Sequence, residues 1–364
     1  MILTADPSSS YRAYASEIDQ AIQSVLASGW YILGDNVAEF EREFAGWCGS
    51  AFGIGVASGT DSICLALRAL GAGPGKEVIT VSHTAVATVA AIEAVGATPV
   101  LADVDADTYT MDAESAKALV SEQTCAIMPV HLYGHPADMK ALGELSRING
   151  IALVEDCAQA HGAMLDGNRV GSFGDVGCFS LYPTKNLGAI GDGGIVVSAA
   201  PELAEALKLI RQYGWDTPQH SIRPGVCSRL DEIQAAILRV KLKHLDDEIR
   251  RRQEIAGIYD AAFAKLDIKC PLVRENAEHA YHLYVVQLAA RDAVKVALAE
   301  RGVVAGIHYP IPVHAQPTYI GRVRSASMTV TEQIQSRILS LPLYPQMSET
   351  DVDTVIDAVR TCVN

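Results

Sequence analysis

Between residues 52 and 158, short runs that are apolar throughout alternate with stretches whose apolar residues recur every three or four positions. FGIGVAS (52–58), EVITV (77–81), TPVLADV (98–104), CAIMPVH (125–131) and IALVEDCA (151–158) predict strands. They do not alternate apolar with polar, which is the pattern of strands covered by helices on both faces. TDSICLALRAL (60–70), AVATVAAIEAVG (85–96) and ADMKALGELSRING (137–150) predict helices, the last ending at a glycine. Strand–helix–strand repetition predicts parallel pairing through right-handed crossovers, so the fold class is α/β with a mostly parallel central sheet. GGIVVS (193–198) adds a strand and PELAEALKLIRQYG (201–214) a helix. Residues 229–266 read as helical for much of their length and lead into a smaller C-terminal α/β domain containing the strand YHLYVVQL (281–288). Residues 1–50 predict helices and a turn at SGWYILGD. The expected division is 1–250, an N-terminal segment plus large domain, and 251–364, a small domain.

Composition narrows the class. The chain has 364 residues, 49% of them hydrophobic, enough for a sizeable core and two domains. Its 29 basic and 43 acidic residues leave a net charge of −14, which argues against a nucleic-acid surface. No apolar run reaches the ~18 residues of a membrane span, and MILTADPSSS lacks a basic stretch followed by an apolar one, so the expected location is cytoplasmic. The eight cysteines are scattered without a CxxC pair, so neither a metal site nor a disulfide framework is expected.

Ligands of parallel α/β sheets bind beyond the carboxyl ends of the strands, and four polar groups fall there. Ser58-Gly59-Thr60 joins a strand to a helix; free N–H groups at a helix start favour an anion, and capping by Ser58 or Thr60 is the plainer alternative. Glu155-Asp156 ends a buried strand, where a carboxylate needs a partner, either a cationic nitrogen or the N–H groups of the next turn. His83, in Ser82-His83-Thr84, could lie flat on a planar ligand or be a satisfied core histidine. Ser180 and Lys185 lie in SLYPTKNLGAIGDGG, a glycine-rich loop between two strands. A loop lysine is ordinarily a solvated charge, but with its proton removed it forms an imine with a carbonyl. One ligand answers all four: pyridoxal 5′-phosphate, with a phosphate, an aldehyde and a protonatable aromatic nitrogen. Asp156 would keep that nitrogen protonated, letting the ring act as an electron sink.

The segments SGWYILGDNVAEFEREFA, VASGTDSICLALRALGAGPGKEVITVSHTAVAT, VEDCAQAHGA, GCFSLYPTKNLGAIGDGG, SRLDEIQAAILRVKLKHLD and HYPIPVHAQPTY span nearly the whole chain. Together they resemble the DegT/DnrJ/EryC1/StrS sugar aminotransferases, which have the three-layer, aspartate aminotransferase-like PLP-transferase fold. The resemblance implies that Lys185 is the Schiff-base lysine and proton shuttle and Asp156 the partner of the pyridine nitrogen. It implies that Gln159 touches the ring hydroxyl and that Gly59, Thr60 and Ser180 bind the phosphate. The family often stacks an aromatic residue on the ring near SHTAVAT; Ala85 stands where bulky aromatics occur, so His83 is the expected stacker. Tyr31, His308 and Tyr309 resemble positions near the sugar. The family tends to place an asparagine before SRLDE for the neighbouring subunit's phosphate; Cys227 stands there, a weak donor, so the resemblance does not extend to that contact. A homodimer with shared active sites is implied nonetheless. The implied reaction moves an amine from L-glutamate to a nucleotide-linked keto-6-deoxyhexose, at C3 of a dTDP-3-keto-6-deoxyhexose. The alternatives are C4 amination and a non-catalytic regulatory protein on the same fold; a dehydratase would replace Lys185 with histidine.

Overall fold

The apolar runs assemble into one eight-stranded sheet, in the computed structural model, which describes residues 1–363. In chain order the strands are β1 (Phe52–Val56), β2 (Glu77–Val81), β3 (Thr98–Ala102), β4 (Thr124–Ile127), β5 (Ala152–Asp156), β6 (Val176–Ser180), β7 (Gly194–Ser198) and β8 (Arg324–Ser325), and their spatial order is β1-β7-β6-β5-β4-β2-β3-β8. From β6 to β8 every pairing is parallel. β7 runs antiparallel to both β6 and β1. The reason is local: no helix separates β6 from β7, only the loop holding Lys185, so the chain turns straight back. Both faces of the sheet are covered. On one, Ile63, Ala66 and Leu67 of helix Gly59–Ala69 pack with Val154, Val176 and Val196. On the other, Phe40 and Phe44 of helix Asp35–Cys48 pack with Phe179, Ile195 and Val197. Strands buried on both faces have no polar side to show, which is why their sequences do not alternate.

One expected element is shorter than its apolar pattern, and another is divided. The strand foreseen over 125–131 ends as a regular ladder at Ile127, because Pro129 has no N–H for it; beyond it the chain stays beside β5 through single contacts, Asp156 N–H donating to Pro129 O at 2.9 Å and His131 N–H to Asp156 O at 3.0 Å. The stretch 229–266, read as helical for much of its length, holds two helices, Glu232–Leu242 and Leu245–Phe263, which meet at Lys243-His244, so residue 250 lies inside the second. A second core gathers Tyr259 and Phe263 of that helix with the antiparallel strands Tyr284–Gln287 and Ile338–Leu341 and the final helix Glu349–Val363; Ile2 joins it. Among the described residues no helix is long and apolar enough to cross a membrane.

Candidate active site

Ends of β1, β5 and β6 converge: Val56 and Ser180 both pair with Gly194, and Asp156 pairs with Cys178. Beyond them opens a cavity of about 240 Å³, its wall including Ser58, Gly59, Thr60, Thr84, Ala85, Thr88, Asp156, Gln159, Ser180, Tyr182, Lys185 and Asp192. Helix Gly59–Ala69 points its N-terminus at this space. Ser58 Oγ caps it by accepting from Asp61 N–H at 3.1 Å, which leaves the N–H groups of Gly59 and Thr60 without an intrahelical partner. A Cβ on Gly59 would lie 2.5 Å from Ser180 Cβ and 2.9 Å from its Oγ. Only glycine lets the serine hydroxyl stand beside the helix start, where N–H groups and the helix dipole favour an anion.

Glu155 and Asp156, adjacent on β5, face opposite ways. Glu155 accepts N–H bonds from Gly171 (2.7 Å), Phe173 (2.8 Å) and Gly174 (2.7 Å), and one from His131 Nε2 (3.0 Å). His131 Nδ1 accepts from Ala137 N–H, so this imidazole is neutral and donates through Nε2. Cys157 Sγ lies within 4.8 Å of the ligand atoms of both residues, but Glu155 is committed to its four donors. Asp156 is buried yet lines the cavity. It accepts from Thr88 Oγ1 at 2.9 Å and Ala158 N–H at 3.1 Å. Burial pushes its carboxyl above the ordinary range against those bonds and the nearby Lys185. Two neutral donors leave a buried carboxylate short of compensation; a cation in the cavity would supply it.

Lys185 sits in a loop closed by Lys185 N–H to Tyr182 O and Ala189 N–H to Leu181 O, both 2.8 Å. Gly188 lets the loop fold on itself, since a Cβ there would lie 2.5 Å from Pro183 O, and Lys241 Nζ ties the Gly188 carbonyl at 2.7 Å. Close packing around the ammonium lowers its pKa to about 8, opposed by the Asp156 carboxylate. Near neutrality a real fraction of Lys185 is therefore the free amine, the form that attacks a carbonyl or takes a proton. His161, His282 and His308 lie close enough to feel its charge; each is lowered by burial first and by Lys185 next. All three therefore stay in the neutral form beside the lysine's field, a feature with no sequence signal because the three histidines are distant in the chain.

The remaining candidates divide. Gln159 lines the cavity; its Oε1 accepts from Tyr133 N–H and its Nε2 donates to Tyr309 Oη, each at 2.8 Å, which brings Tyr309 to the cavity's edge. His308 precedes it, with Nδ1 2.8 Å from Ser340 Oγ. The expected stacking of His83 is corrected: His83 is fully buried, with Nε2 2.8 Å from Tyr133 Oη, and Thr84 and Ala85 form the wall in its place. Just before His83, Ser82 O accepts from Val313 N–H at 3.0 Å. Tyr31 is half-exposed, its phenol 3.4 Å from Leu26 O, and is absent from this chain's cavity wall. Cys227 is exposed and pairs through its backbone with Gln212. Thr88, Tyr182 and Asp192 complete the wall without having been foreseen; Thr88 could have been found as the residue one helical turn after Thr84, which it contacts at 3.0 Å.

Residues 13–360 match the model of the DegT/DnrJ/EryC1/StrS aminotransferase family. The chain belongs to this family. It is 46% identical over 347 residues, 95% of each chain, to the dTDP-3-amino-3,6-dideoxy-alpha-D-galactopyranose transaminase of Aneurinibacillus thermoaerophilus. It is 44% identical to the UDP-N-acetyl-3-dehydro-alpha-D-glucosamine 3-aminotransferase of Acidithiobacillus ferrooxidans, with 98% of each covered. The crystal structure of S. venezuelae DesV in complex with a ketimine intermediate superposes with a TM-score of 0.97 at 44% identity, covering 99% of this chain and 98% of that one. DegT/DnrJ/EryC1/StrS aminotransferases depend on pyridoxal phosphate, and this chain is a PLP-dependent aminotransferase. The residues fit the cofactor: a glycine-lined cradle at a helix start, an under-compensated buried carboxylate and a lysine of lowered pKa face one cavity.

Proposed function

We propose that the protein transfers the amino group of L-glutamate to C3 of a nucleotide-linked 3-keto-6-deoxyhexose, the dTDP-linked sugar being its acceptor, and that it does so as a homodimer. What carries this reading is that relatives similar over the whole chain differ in nucleotide, dTDP in one and UDP in the other, yet both are named for an amine at C3. When bound, the cofactor supplies an electron sink and carries the amine between the two substrates. The phosphate would be held by Gly59, Thr60 and Ser180, the pyridine nitrogen by Asp156, and the ring hydroxyl approached by Gln159. Lys185 Nζ holds and returns the proton that moves at the substrate carbon in both halves. Its pKa of about 8 lets it do either near neutral pH.

The test is spectral. The visible band of the purified holoenzyme should shift to shorter wavelength with L-glutamate and return on adding a dTDP-3-keto-6-deoxyhexose. Return with a 4-keto sugar alone would replace C3 by C4 amination; no response to any amino donor would favour a regulatory role. Lys185→Ala should slow both halves by about 10²–10⁴-fold, the usual contribution of a positioned proton-transfer group.

A further inference from the structure

Tyr133 has φ +59°, in the left-handed region that a bulky side chain rarely occupies, and it is 2% exposed. Such strain persists where surrounding contacts hold it, and it gathers at functional sites. Its partners can be worked out by counting hydrogens. The phenol has one O–H and two neighbours, the His308 carbonyl and His83 Nε2 at 2.8 Å. A carbonyl only accepts, so the O–H goes to His308 and His83 must donate from Nε2. This leaves His83 Nδ1 as the unprotonated nitrogen, and it is the ring atom with no partner. Burial, opposed by Asp103, lowers the ring's pKa to about 4, so it stays neutral.

The main chain of the same residue does a second job. Tyr133 N–H can only donate, so it fixes which end of the Gln159 amide is oxygen and turns Nε2 toward Tyr309. Tyr309 accepts from Nε2, which leaves its own O–H free to donate. The bonds close a circuit: Tyr133 N–H to Gln159, Gln159 to Tyr309, Tyr309 along the chain to His308, and His308 O back to the Tyr133 phenol. It joins the segment after β4 to a segment otherwise fastened to strand Ile338–Leu341, where Gly306 pairs with Ser340 and His308 Nδ1 meets Ser340 Oγ.

We propose that Tyr133 is a positioning residue for the transamination: its main-chain N–H aims the Gln159 amide, its phenol holds the His308–Tyr309 segment, and His83 fixes the direction of that phenol. The proposal rests on the aminotransferase reading but not on the identity of the sugar.

Two measurements on the holoenzyme test it. Histidine-selective 15N NMR should show His83 as the Nε2–H tautomer, without titration between pH 5 and 9; an Nδ1–H tautomer or an imidazolium in that range overturns the direction of the circuit. The second is a double-mutant cycle on the amino-donor half-reaction, read per folded, cofactor-loaded protein. Tyr133→Phe and Tyr309→Phe should each lower kcat/KM roughly tenfold, and the double variant should be no worse than the worse single, the mark of residues acting as a unit. Effects that multiply, or a Tyr133→Phe variant within about twofold of wild type despite a lower melting temperature, would make Tyr133 merely structural. Should Tyr133→Phe not fold, His83 serves instead: His83→Gln keeps a donor near the Nε2 position and should retain activity, whereas His83→Leu should lose it, and equal behaviour of the two sinks the proposal. Failure of keto sugars to restore the visible band would count against the acceptor reading alone, since neither measurement uses one.

Discussion

Site residues hold energies that oppose folding. Lys185, lowered to about 8 from an ordinary 10.5, binds fewer protons folded than unfolded between those values. The stability of cofactor-free protein should therefore rise with pH from 8 to 10.5, and below 8 the penalty is in force in full, at most about 3 kcal/mol, since the Lys185 residue as a whole is only partly buried. Asp156, raised by burial, carries the converse sign: its folded form holds the proton more tightly, so its contribution falls as pH rises above 3.8. Lys185→Met should raise the urea midpoint of the cofactor-free protein at pH 7, with the gain fading by pH 10.5; equal midpoints at pH 7 would mean a solvated lysine. Gly59→Ala is a subtler change. Alanine suits a helix better, but its methyl would displace Ser180, so cofactor affinity by equilibrium dialysis should fall roughly tenfold, the loss of about one good hydrogen bond; unchanged affinity would separate Ser180 from the phosphate site. Asp156, Lys185 and the Ser58–Thr60 turn were legible in the sequence because each is a polar group at the end of an apolar run. His83 was not, because a one-residue difference in where the chain turns puts Thr84 and Ala85 in the wall instead.

At the scale of elements, β5 shows what a pattern can and cannot say. The apolar run ending in Glu155-Asp156 announces a buried strand with carboxylates at its ligand end. A strand buried on both faces has no polar side to phase it, however, so the apolar pattern by itself leaves open which acid faces the cavity, and Asp156 was singled out by ligand chemistry and the family resemblance. The answer lies in residues 171–174, whose N–H groups take Glu155 and thereby leave Asp156 to the cavity. The same contacts fasten the loop that feeds β6, and β6 carries Ser180. Glu155→Gln replaces an acceptor by an NH₂ facing backbone donors. It should cost about 3 kcal/mol in urea unfolding and loosen cofactor binding without touching the cofactor; a neutral outcome would show that the loop holds itself. β8 had no sequence signal at all, being two residues paired to β3 from a distant part of the chain. The reversal at β7 was readable in retrospect from the absence of a helix between residues 180 and 194.

Over the whole molecule, the segment leading into helix Glu232–Leu242 collects apolar groups that one chain leaves exposed. Ile32 pairs with Asp231, and Ile190 N–H donates to Gln234 Oε1, yet both side chains stand in solvent, as do those of Trp30, Tyr31 and Tyr182. Glu232 accepts from the N–H groups of Gly34, Asn36 and Val37, so the turn bearing Trp30 and Tyr31 is held firmly. A firmly held loop with exposed aromatic and aliphatic side chains suits a second copy of the chain better than water. The proposed homodimer would also give Tyr31 a site to approach, namely the neighbour's. The wild-type protein should sediment at twice its 38.8 kDa, and its melting temperature should rise with concentration, because association stabilises the folded form by mass action. Trp30→Asp alters only an exposed side chain of the single subunit. If that side chain is buried between copies, the variant should sediment as a monomer and lose activity, its far-ultraviolet circular dichroism unchanged. A monomeric variant with full activity would leave each chain's active site complete in itself and confine Tyr31 to the turn it occupies.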